Sequence, residues 1–363
     1  MPPEKPLRFD LLDGLRGLAA ISVVFYHFTQ HNGLRWMSGA WVAVDLFFIL
    51  SGFVIAHSYG PKLLAGMPLR RFLLVRFIRL GPLYFVGLLL GVVAAAVALA
   101  AGELGNITWT QLATAAVLGA MWLPYLNDLA WPFGAETIGG PVFPLNDPSW
   151  SLFLEVFVNA VFFFFVFRFR RLSSHWLFGF AAISYLLVTI LFRQVNPGWG
   201  YENFVFGFPR VIAEFFAGVL IYQLGFHERA ALPRLTLLAL GGAASLVLTS
   251  GLKTALVNSV TLVPLSVALA SAIRIDSPLW KRVCKVLGDL SYPLYIVHYP
   301  LYRLLWQVPP IRAMTPVSQT VLVGLVSIGV ALVLAVLDER VRRRLMGRSA
   351  TRWGAVNVRS VGR

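Results

Sequence analysis

The sequence predicts an all-α, polytopic integral membrane protein with about ten transmembrane helices. Three observations predict this fold class. First, 58% of the 363 residues are hydrophobic and only 13% are charged, whereas soluble domains average about 45–50% apolar and about 25% charged residues. Second, the apolar residues form runs close to the roughly 20 residues that cross a bilayer. Third, basic residues gather in alternate connections between these runs, as in multispanning proteins.

Ten apolar runs have a length suited to a membrane-spanning helix. They lie near 12–30, 40–58, 81–101, 149–167, 175–192, 205–225, 235–251, 255–273, 288–307 and 317–337. One further apolar segment, 107–126, can cross the membrane, re-enter it or lie in its interface, because hydrophobic periodicity does not distinguish these arrangements.

The distribution of basic residues favours one of these arrangements. If segment 107–126 does not cross and the N-terminus is cytoplasmic, most of the 31 Lys and Arg residues fall in cytoplasmic segments, as the positive-inside rule requires. A crossing there would move every later basic loop to the other side. We therefore predict ten spans in the bacterial inner membrane, with both termini in the cytoplasm. The net charge of +15 is then a topology signal, and no nucleic-acid partner is expected.

The chain is predicted to contain one transmembrane domain, residues 1–340, followed by a basic cytoplasmic tail, 341–363, that we expect to be disordered. The single cysteine, Cys284, excludes an internal disulfide framework. No His, Asp or Glu positions have a recognisable metal-ligand spacing. Neither a metal site nor a permanently bound cofactor is therefore expected.

The first span carries two ionisable side chains, Arg16 and His27. They are eleven positions apart, or about three helical turns, so they share one face and lie about 16 Å apart along the axis. Under the predicted topology Arg16 lies at the cytoplasmic boundary, where a snorkelling anchor is the simplest alternative. His27 lies deep in the bilayer, where ionisable residues are costly and usually functional. A hydrogen-bonded packing histidine is its alternative.

The opening stretch LDGLRGLAAISVVFYH resembles the start of the membrane acyltransferase 3 family, which is marked by an Arg and a His with ten residues between them. Five later stretches are similar to segments of that family, in the same order. They are WVAVDLFFILSGFVI (41–55), RFIRLGPLYF (76–85), WSLFLEVF (150–157), FPRVIAEFFAGVLIY (208–222) and LGDLSYPLYIVHYPL (287–301). The resemblance implies a ten-span helical domain that carries acyl groups from cytoplasmic acyl-CoA to an acceptor at the membrane or beyond it.

An arginine cluster at the start of the third span is a candidate phosphate site. Arg76 and Arg79, preceded by Arg70 and Arg71, offer planar forks of donors that suit the phosphates of coenzyme A. A positive-inside anchor is the alternative for the whole cluster. The family resemblance favours Arg76 and Arg79 as the functional pair, and we add Arg16 as a third candidate ligand of the phosphates.

Two carboxylates are candidates for catalysis with His27. Asp45, near the outer end of the second span, is placed by the antiparallel arrangement of neighbouring spans at the depth of His27, where a carboxylate would fix the imidazole tautomer. Glu155 lies between Ser151 and Asn159 at four-residue spacing, so the three form one polar stripe. This stripe suits a wall of the acceptor pocket, with interhelical hydrogen bonding as the alternative. The sequence departs from the family's pattern at Asn159, where an aromatic residue is common, and after Glu155, where a second Glu is frequent.

Four residues are predicted to bind substrate: Trp150, Ser151, Arg210 and His298. The spacing of Arg210 and Glu214 at i,i+4 in the sixth span also indicates a local ion pair. His298 belongs either to the pore or to the packed core. It lies within an aromatic stripe whose default interpretation is packing, namely Tyr292, Tyr295, Tyr299 and Tyr302.

These residues predict a membrane-embedded O-acyltransferase. Acyl-CoA, with acetyl-CoA favoured, is the expected donor, and His27 is the expected general base on an acceptor hydroxyl or forms an acyl-histidine intermediate. The resemblance implies that the acceptor is a hydroxyl of a cell-surface or exported glycan or glycolipid. Two alternatives stay open: a transporter or flippase of a lipid-linked glycan, and an acyltransferase for a cytoplasmic small molecule.

Overall fold

The computed structural model describes residues 8–105, 107–127, 140–170, 175–192, 196–228 and 258–360. These residues form helices and their connections, with no β-strand among them. The helices are α1 (Asp10–His31), α2 (Ala43–Leu64), α3 (Leu69–Ala100), α4 (Trp109–Ala120), α5 (Ser149–Phe169), α6 (His175–Phe192), α7 (Gly207–Gln223), α8 (Val263–Ala272), α9 (Pro278–Trp306), α10 (Pro309–Arg312) and α11 (Pro316–Ser360).

Six helical segments of the described chain are long and apolar enough to cross a membrane. They are Asp10–His31, Ala40–Leu64, Leu69–Ala100, Ser149–Phe169, Tyr201–Glu228 and Pro316–Met346. Two shorter apolar helices, His175–Leu191 and Ser259–Ala272, lie at further predicted spans, and α9 contains the one predicted at 288–307. The prediction of an all-α, polytopic membrane protein is confirmed. The span predicted at 235–251 lies outside the described residues, so the count of ten stays a prediction.

The ambiguous segment 107–126 forms the short helix α4. Its first turn is fixed by a capping box in which the side chain of Thr108 accepts from the backbone N–H of Gln111 and the side chain of Gln111 accepts in return. Its 12 residues give a length of about 18 Å, well short of the roughly 30 Å of hydrocarbon in a bilayer. This length fits the arrangement in which the segment does not cross.

Helices α1 and α9 pack against each other in parallel. Gly14 lies against Cys284, and His27 lies against His298 further along both helices. Because both helices run in the same direction, an odd number of crossings must separate them if both cross the membrane. The predicted topology places seven spans between them when 107–126 does not cross. The parallel packing therefore agrees with the arrangement that the positive charges favour.

Close backbone contacts hold a second parallel pair, α2 and α7. A methyl group added to Gly52 would overlap the carbonyl oxygen of Phe215, and one added to Gly218 would overlap the carbonyl oxygen of Ile49. Small residues at such crossings let membrane helices approach closely. The consequence is that the polar side chains of α2 face α7 as well as the centre of the bundle.

Candidate active site

Polar side chains of α1, α3, α5 and α9 meet in the interior of the bundle. We call the end of the bundle at which α1 begins the basic end, because Arg8, Lys62, Arg70 and Lys285 lie there. From this end the polar groups follow one another along α9. They comprise an arginine pair, an ion pair, a hydroxyl pair and a histidine pair.

The histidine pair joins α1 to α9. His27 Nδ1 and His298 Nε2 are 2.8 Å apart, and the two rings stack with centroids 5.1 Å apart. His298 Nδ1 lies 3.1 Å from the carbonyl oxygen of Leu294, one helical turn earlier in α9. His298 is completely buried, whereas His27 keeps accessible surface.

These two hydrogen bonds fix the tautomers of the neutral pair. A carbonyl oxygen only accepts, so Nδ1 of His298 must carry the proton that is donated to Leu294. Nε2 of His298 is then the acceptor, and Nδ1 of His27 must donate to it. The lone pair of His27 is therefore on Nε2, which has no hydrogen-bond partner among the described residues. This nitrogen is the one available for chemistry.

One turn closer to the basic end, two hydroxyl groups form a pair. Ser151 Oγ and the hydroxyl of Tyr295 are 2.8 Å apart, and Ser151 Oγ also donates to the carbonyl oxygen of Pro148 at 2.9 Å. Both residues are buried. Ser151, a predicted substrate-binding residue, thus lies beside the histidine pair with its hydroxyl held by protein groups.

The next layer is an ion pair between α3 and α5. Arg76 donates to Glu155 Oε1, which also accepts from Ser51 Oγ at 3.0 Å. Arg76 is only 4% exposed, and a buried charge of this kind needs a partner of opposite sign. Arg76 was predicted to bind phosphate, and Glu155 to act in catalysis within the wall of the acceptor pocket. The structure pairs these two side chains with each other.

Two arginines at the basic end keep unused donors. Arg16 donates to the carbonyl oxygen of Gly288 at 2.8 Å and lies 3.4 Å from Asp13, but its buried Nε has no partner among the described residues. Arg79 makes no hydrogen bond or ion pair with any residue that the structure describes. The two guanidinium groups are close enough for their charges to interact. Such a pair of partly unpaired cations attracts an anion.

The predicted pairing of Asp45 with His27 is wrong. Asp45 is completely buried and forms an ion pair with Arg210, because the close packing of α2 on α7 turns its carboxylate towards α7. Arg210 also lies 3.3 Å from Glu214 and donates to Asn196 at 2.7 Å. The predicted ion pair of Arg210 and Glu214 is thus confirmed, while the use of Arg210 donors by protein groups argues against substrate binding.

Trp150, also predicted to bind substrate, belongs to the same buried cluster. Its ring lies 5.6 Å from the guanidinium carbon of Arg210 and 6.3 Å from the ring of Phe48. The side chain is 5% exposed. These contacts place the indole between α2, α5 and α7, and not on the surface that His27 presents.

Sequence reasoning missed Asp147, in the loop that precedes α5. Its Oδ1 is buried without a hydrogen-bond partner in the described part of the chain, while the residue as a whole keeps accessible surface. Burial raises the pKa of this carboxyl to about 7, against the opposing effect of Arg303. No periodicity marks a loop residue, so only the acidic side chain itself was a signal.

An apolar helical bundle with histidines and arginines in its interior is typical of a membrane protein whose interior is functional. The chain belongs to the acyltransferase 3 family, since the profile described as "Acyltransferase domain" matches residues 9–336. This match confirms the family that the six sequence stretches predict. The protein is therefore an acyltransferase that moves groups other than aminoacyl groups.

Several curated proteins are similar to this chain. "Protein 2 in picA locus" of Rhizobium radiobacter is 43% identical over 173 residues, which are 45% of this chain and 84% of that protein. "Putative membrane-bound transacylase BcsY" of Komagataeibacter xylinus is 27% identical over 315 residues, 80% of this chain and 72% of BcsY. "Peptidoglycan O-acetyltransferase OatA" of Listeria monocytogenes is 36% identical over 77 residues, 21% of this chain and 12% of OatA. No solved structure matches.

Proposed function

We propose that this protein is an O-acyltransferase that moves an acyl group from acyl-CoA to a hydroxyl of a glycan, with His27 as the general base. The observation that supports this proposal best is the hydrogen-bond chain from Leu294 through His298 to His27. It leaves His27 Nε2 with a lone pair and without a hydrogen-bond partner among the residues that the structure describes. A general base needs such a nitrogen within reach of the hydroxyl that attacks.

The proposed reaction needs no group beyond the two substrates and this histidine. The acceptor hydroxyl attacks the thioester carbonyl, and its proton passes to His27 Nε2 as the new C–O bond forms. The tetrahedral intermediate then collapses, the C–S bond breaks, and the proton returns from Nε2 to the sulfur of coenzyme A. The products are an ester and free coenzyme A. His298 holds the base in the required tautomer by accepting from its Nδ1.

The donor side of the proposal rests on Arg16 and Arg79 at the basic end. Their unused donors suit the phosphates of coenzyme A, since guanidinium groups bind phosphate in a planar, charge-assisted geometry. Arg16 lies about 16 Å along α1 from His27, a distance that the extended pantetheine arm is suited to cover. The buried Arg76 stays with Glu155 and orders the wall between the two sites. Acetyl-CoA is the favoured donor because OatA is named an O-acetyltransferase.

The acceptor side of the proposal comes from the relatives. OatA is named for peptidoglycan, which leads us to propose a glycan or glycolipid hydroxyl as the acceptor. The acceptor then reaches His27 from the end opposite the arginines. We further propose that the basic end faces the cytoplasm of a bacterial cell, because the positive-inside rule places arginine-rich ends there.

The test compares purified wild-type protein with the His27→Ala variant, in liposomes supplied with radiolabelled acetyl-CoA and a membrane glycan extract. Acetyl-CoA binding, coenzyme A release and label transfer are measured separately. His175→Ala is the matched control, because His175 is exposed at the start of α6. We expect His27→Ala to bind acetyl-CoA but to lose both release and transfer. Turnover equal to wild type would overturn the role of His27. Glycan movement across the bilayer without coenzyme A release would favour the transporter.

A further inference from the structure

The loop of residues 140–148 is fixed on α9 at the end opposite the arginines. Asn146 Nδ2 donates to the carbonyl oxygen of Ile296 at 2.8 Å, and Arg303 Nη1 donates to the carbonyl oxygen of Pro144 at 2.6 Å. Both anchors lie within three residues of Asp147. The carboxylate of Asp147 is therefore held in a set position relative to α9.

Two tyrosines and one arginine of the neighbouring helices lie near this carboxylate. Tyr26 of α1, together with Tyr299 and Arg303 of α9, lies close enough to Asp147 for their charges to interact. The rings of Tyr26 and Tyr299 in turn pack on the ring of His27, with centroid distances of 5.2 Å and 5.7 Å. Asp147 thus lies near two tyrosines that contact the ring of His27, towards the end of the bundle opposite the arginines.

The carboxylate of Asp147 is incompletely satisfied. Its Oδ1 is buried and accepts no hydrogen bond from the residues that the structure describes. A buried polar atom without a partner costs about 1–3 kcal/mol, and a bound hydroxyl would remove that cost. A cationic ligand fits poorly because Arg303 already faces the carboxylate. A neutral ligand with several hydroxyl donors and apolar ring faces fits both the carboxylate and the two tyrosine rings.

We propose that Asp147 binds the acceptor, accepting a hydrogen bond from a carbohydrate hydroxyl next to the one that attacks the thioester. Tyr26 and Tyr299 line the same subsite and contact the apolar face of the sugar ring. This inference rests on the proposed function, because it assumes transfer to a carbohydrate at His27. It adds a specificity-determining residue on the acceptor side of the site.

The experiment measures acyl transfer from acetyl-CoA to two acceptors, the glycan extract and a simple monohydric alcohol such as butanol. The alcohol has no neighbouring hydroxyl, so it cannot use Asp147. We expect Asp147→Ala to raise the KM for the glycan by about tenfold to a hundredfold, as for other lost substrate hydrogen bonds to a charged group. The KM for acetyl-CoA and the rate with butanol should stay within about twofold of wild type.

The outcomes separate the inference from the proposed function. An unchanged glycan KM in Asp147→Ala overturns the inference while leaving the enzyme intact. Equal losses with glycan and butanol also overturn it, because they indicate that Asp147 supports the fold or the chemistry. If the Ala variant does not fold, Asp147→Leu keeps the approximate size of the side chain and removes both acceptor oxygens, and the same comparison applies. Wild-type protein inactive with both acceptors would instead overturn the proposed function.

Discussion

His27 and His298 stand 271 positions apart in the chain and share a 2.8 Å hydrogen bond in the bundle interior. The parallel packing of α1 on α9 brings them together, and the carbonyl oxygen of Leu294 completes the chain of donors and acceptors. In the proposed reaction His298, a neutral histidine, takes the orienting role that a carboxylate has in many catalytic triads. This arrangement orients His27 without placing the charge of a carboxylate beside it.

This relationship predicts different results for two amide substitutions at His298. In His298→Gln the side-chain oxygen reaches the position of Nε2 and can still accept from His27. In His298→Asn the shorter amide reaches only the position of Nδ1. We expect the Asn variant to lower kcat by about a hundredfold, within the usual contribution of general base catalysis, while the Gln variant keeps most of the activity. The measurement is coenzyme A release, with the KM for acetyl-CoA as a check on the fold. Equal losses in both variants would contradict the proposed orientation.

The donor site predicts a substrate-dependent effect at Arg79. Replacing Arg79 with Ala should raise the KM for acetyl-CoA by about tenfold or more, since a charge-assisted hydrogen bond contributes roughly 1.5–3 kcal/mol. S-acetyl-pantetheine lacks the nucleotide phosphates, so its KM should not change. Arg168→Ala is the matched control, because Arg168 is exposed in the last turn of α5 and lies outside the arginine cluster of α3. An equal rise for both donors would show that Arg79 acts on the fold and not on phosphate.

The carboxyl of Asp147 predicts a pH dependence of acceptor binding. Burial raises its pKa to about 7, so the carboxylate is charged above that pH and protonated below it. A charged oxygen accepts the stronger hydrogen bond. The glycan KM of the wild-type enzyme should therefore rise as the pH falls below about 7, and the glycan KM of Asp147→Asn should not. Steady-state kinetics over a range of about 1.5 pH units on each side of this pKa would give the glycan KM of both proteins as a function of pH. A rise of the same size in the Asn variant would assign the effect to another group.

The contact between α2 and α7 predicts a strong effect of one methyl group. Gly52→Ala places a Cβ against the backbone of Phe215, which must push the helices apart or distort them. Overpacking of this kind costs about 1–3 kcal/mol, so the melting temperature in detergent should fall. Gly329→Ala is the control, because nothing lies within 4 Å of the added methyl group. A melting temperature unchanged in Gly52→Ala would show that this packing is looser than the structure indicates.

The span positions and the shared face of Arg16 and His27 were open to prediction because they rest on local spacing and on charge. The enzyme class was open to prediction because six stretches resemble the acyltransferase 3 family. The partner that a side chain meets on another helix was not open to prediction. Asp45 was assigned to His27 from depth alone, and depth does not tell which neighbour a side chain faces. Asp45 faces α7 because Gly52 and Gly218 allow α2 to pack closely against that helix. The glycines were visible in the sequence, but their pairing across 166 positions was not.

Loop residues were the hardest part of the site to predict. Asp147 lies in a proline-rich connection without periodicity, and its position depends on hydrogen bonds from Asn146 and Arg303 to backbone atoms. His298, by contrast, was a candidate because an ionisable residue in a span is rare. Its partner emerged only from the register of α1 against α9.

The same register has a consequence for biosynthesis. The ribosome releases α1 first, with a histidine whose partner is still unmade, and adds residues at about 5–20 per second. His298 lies 271 positions after His27, so it is added roughly 15–55 seconds later at that rate. During that interval the nascent helix lacks its main neighbour in the bilayer. The histidine pair can therefore form only after α9 and every span that separates it from α1 have been made.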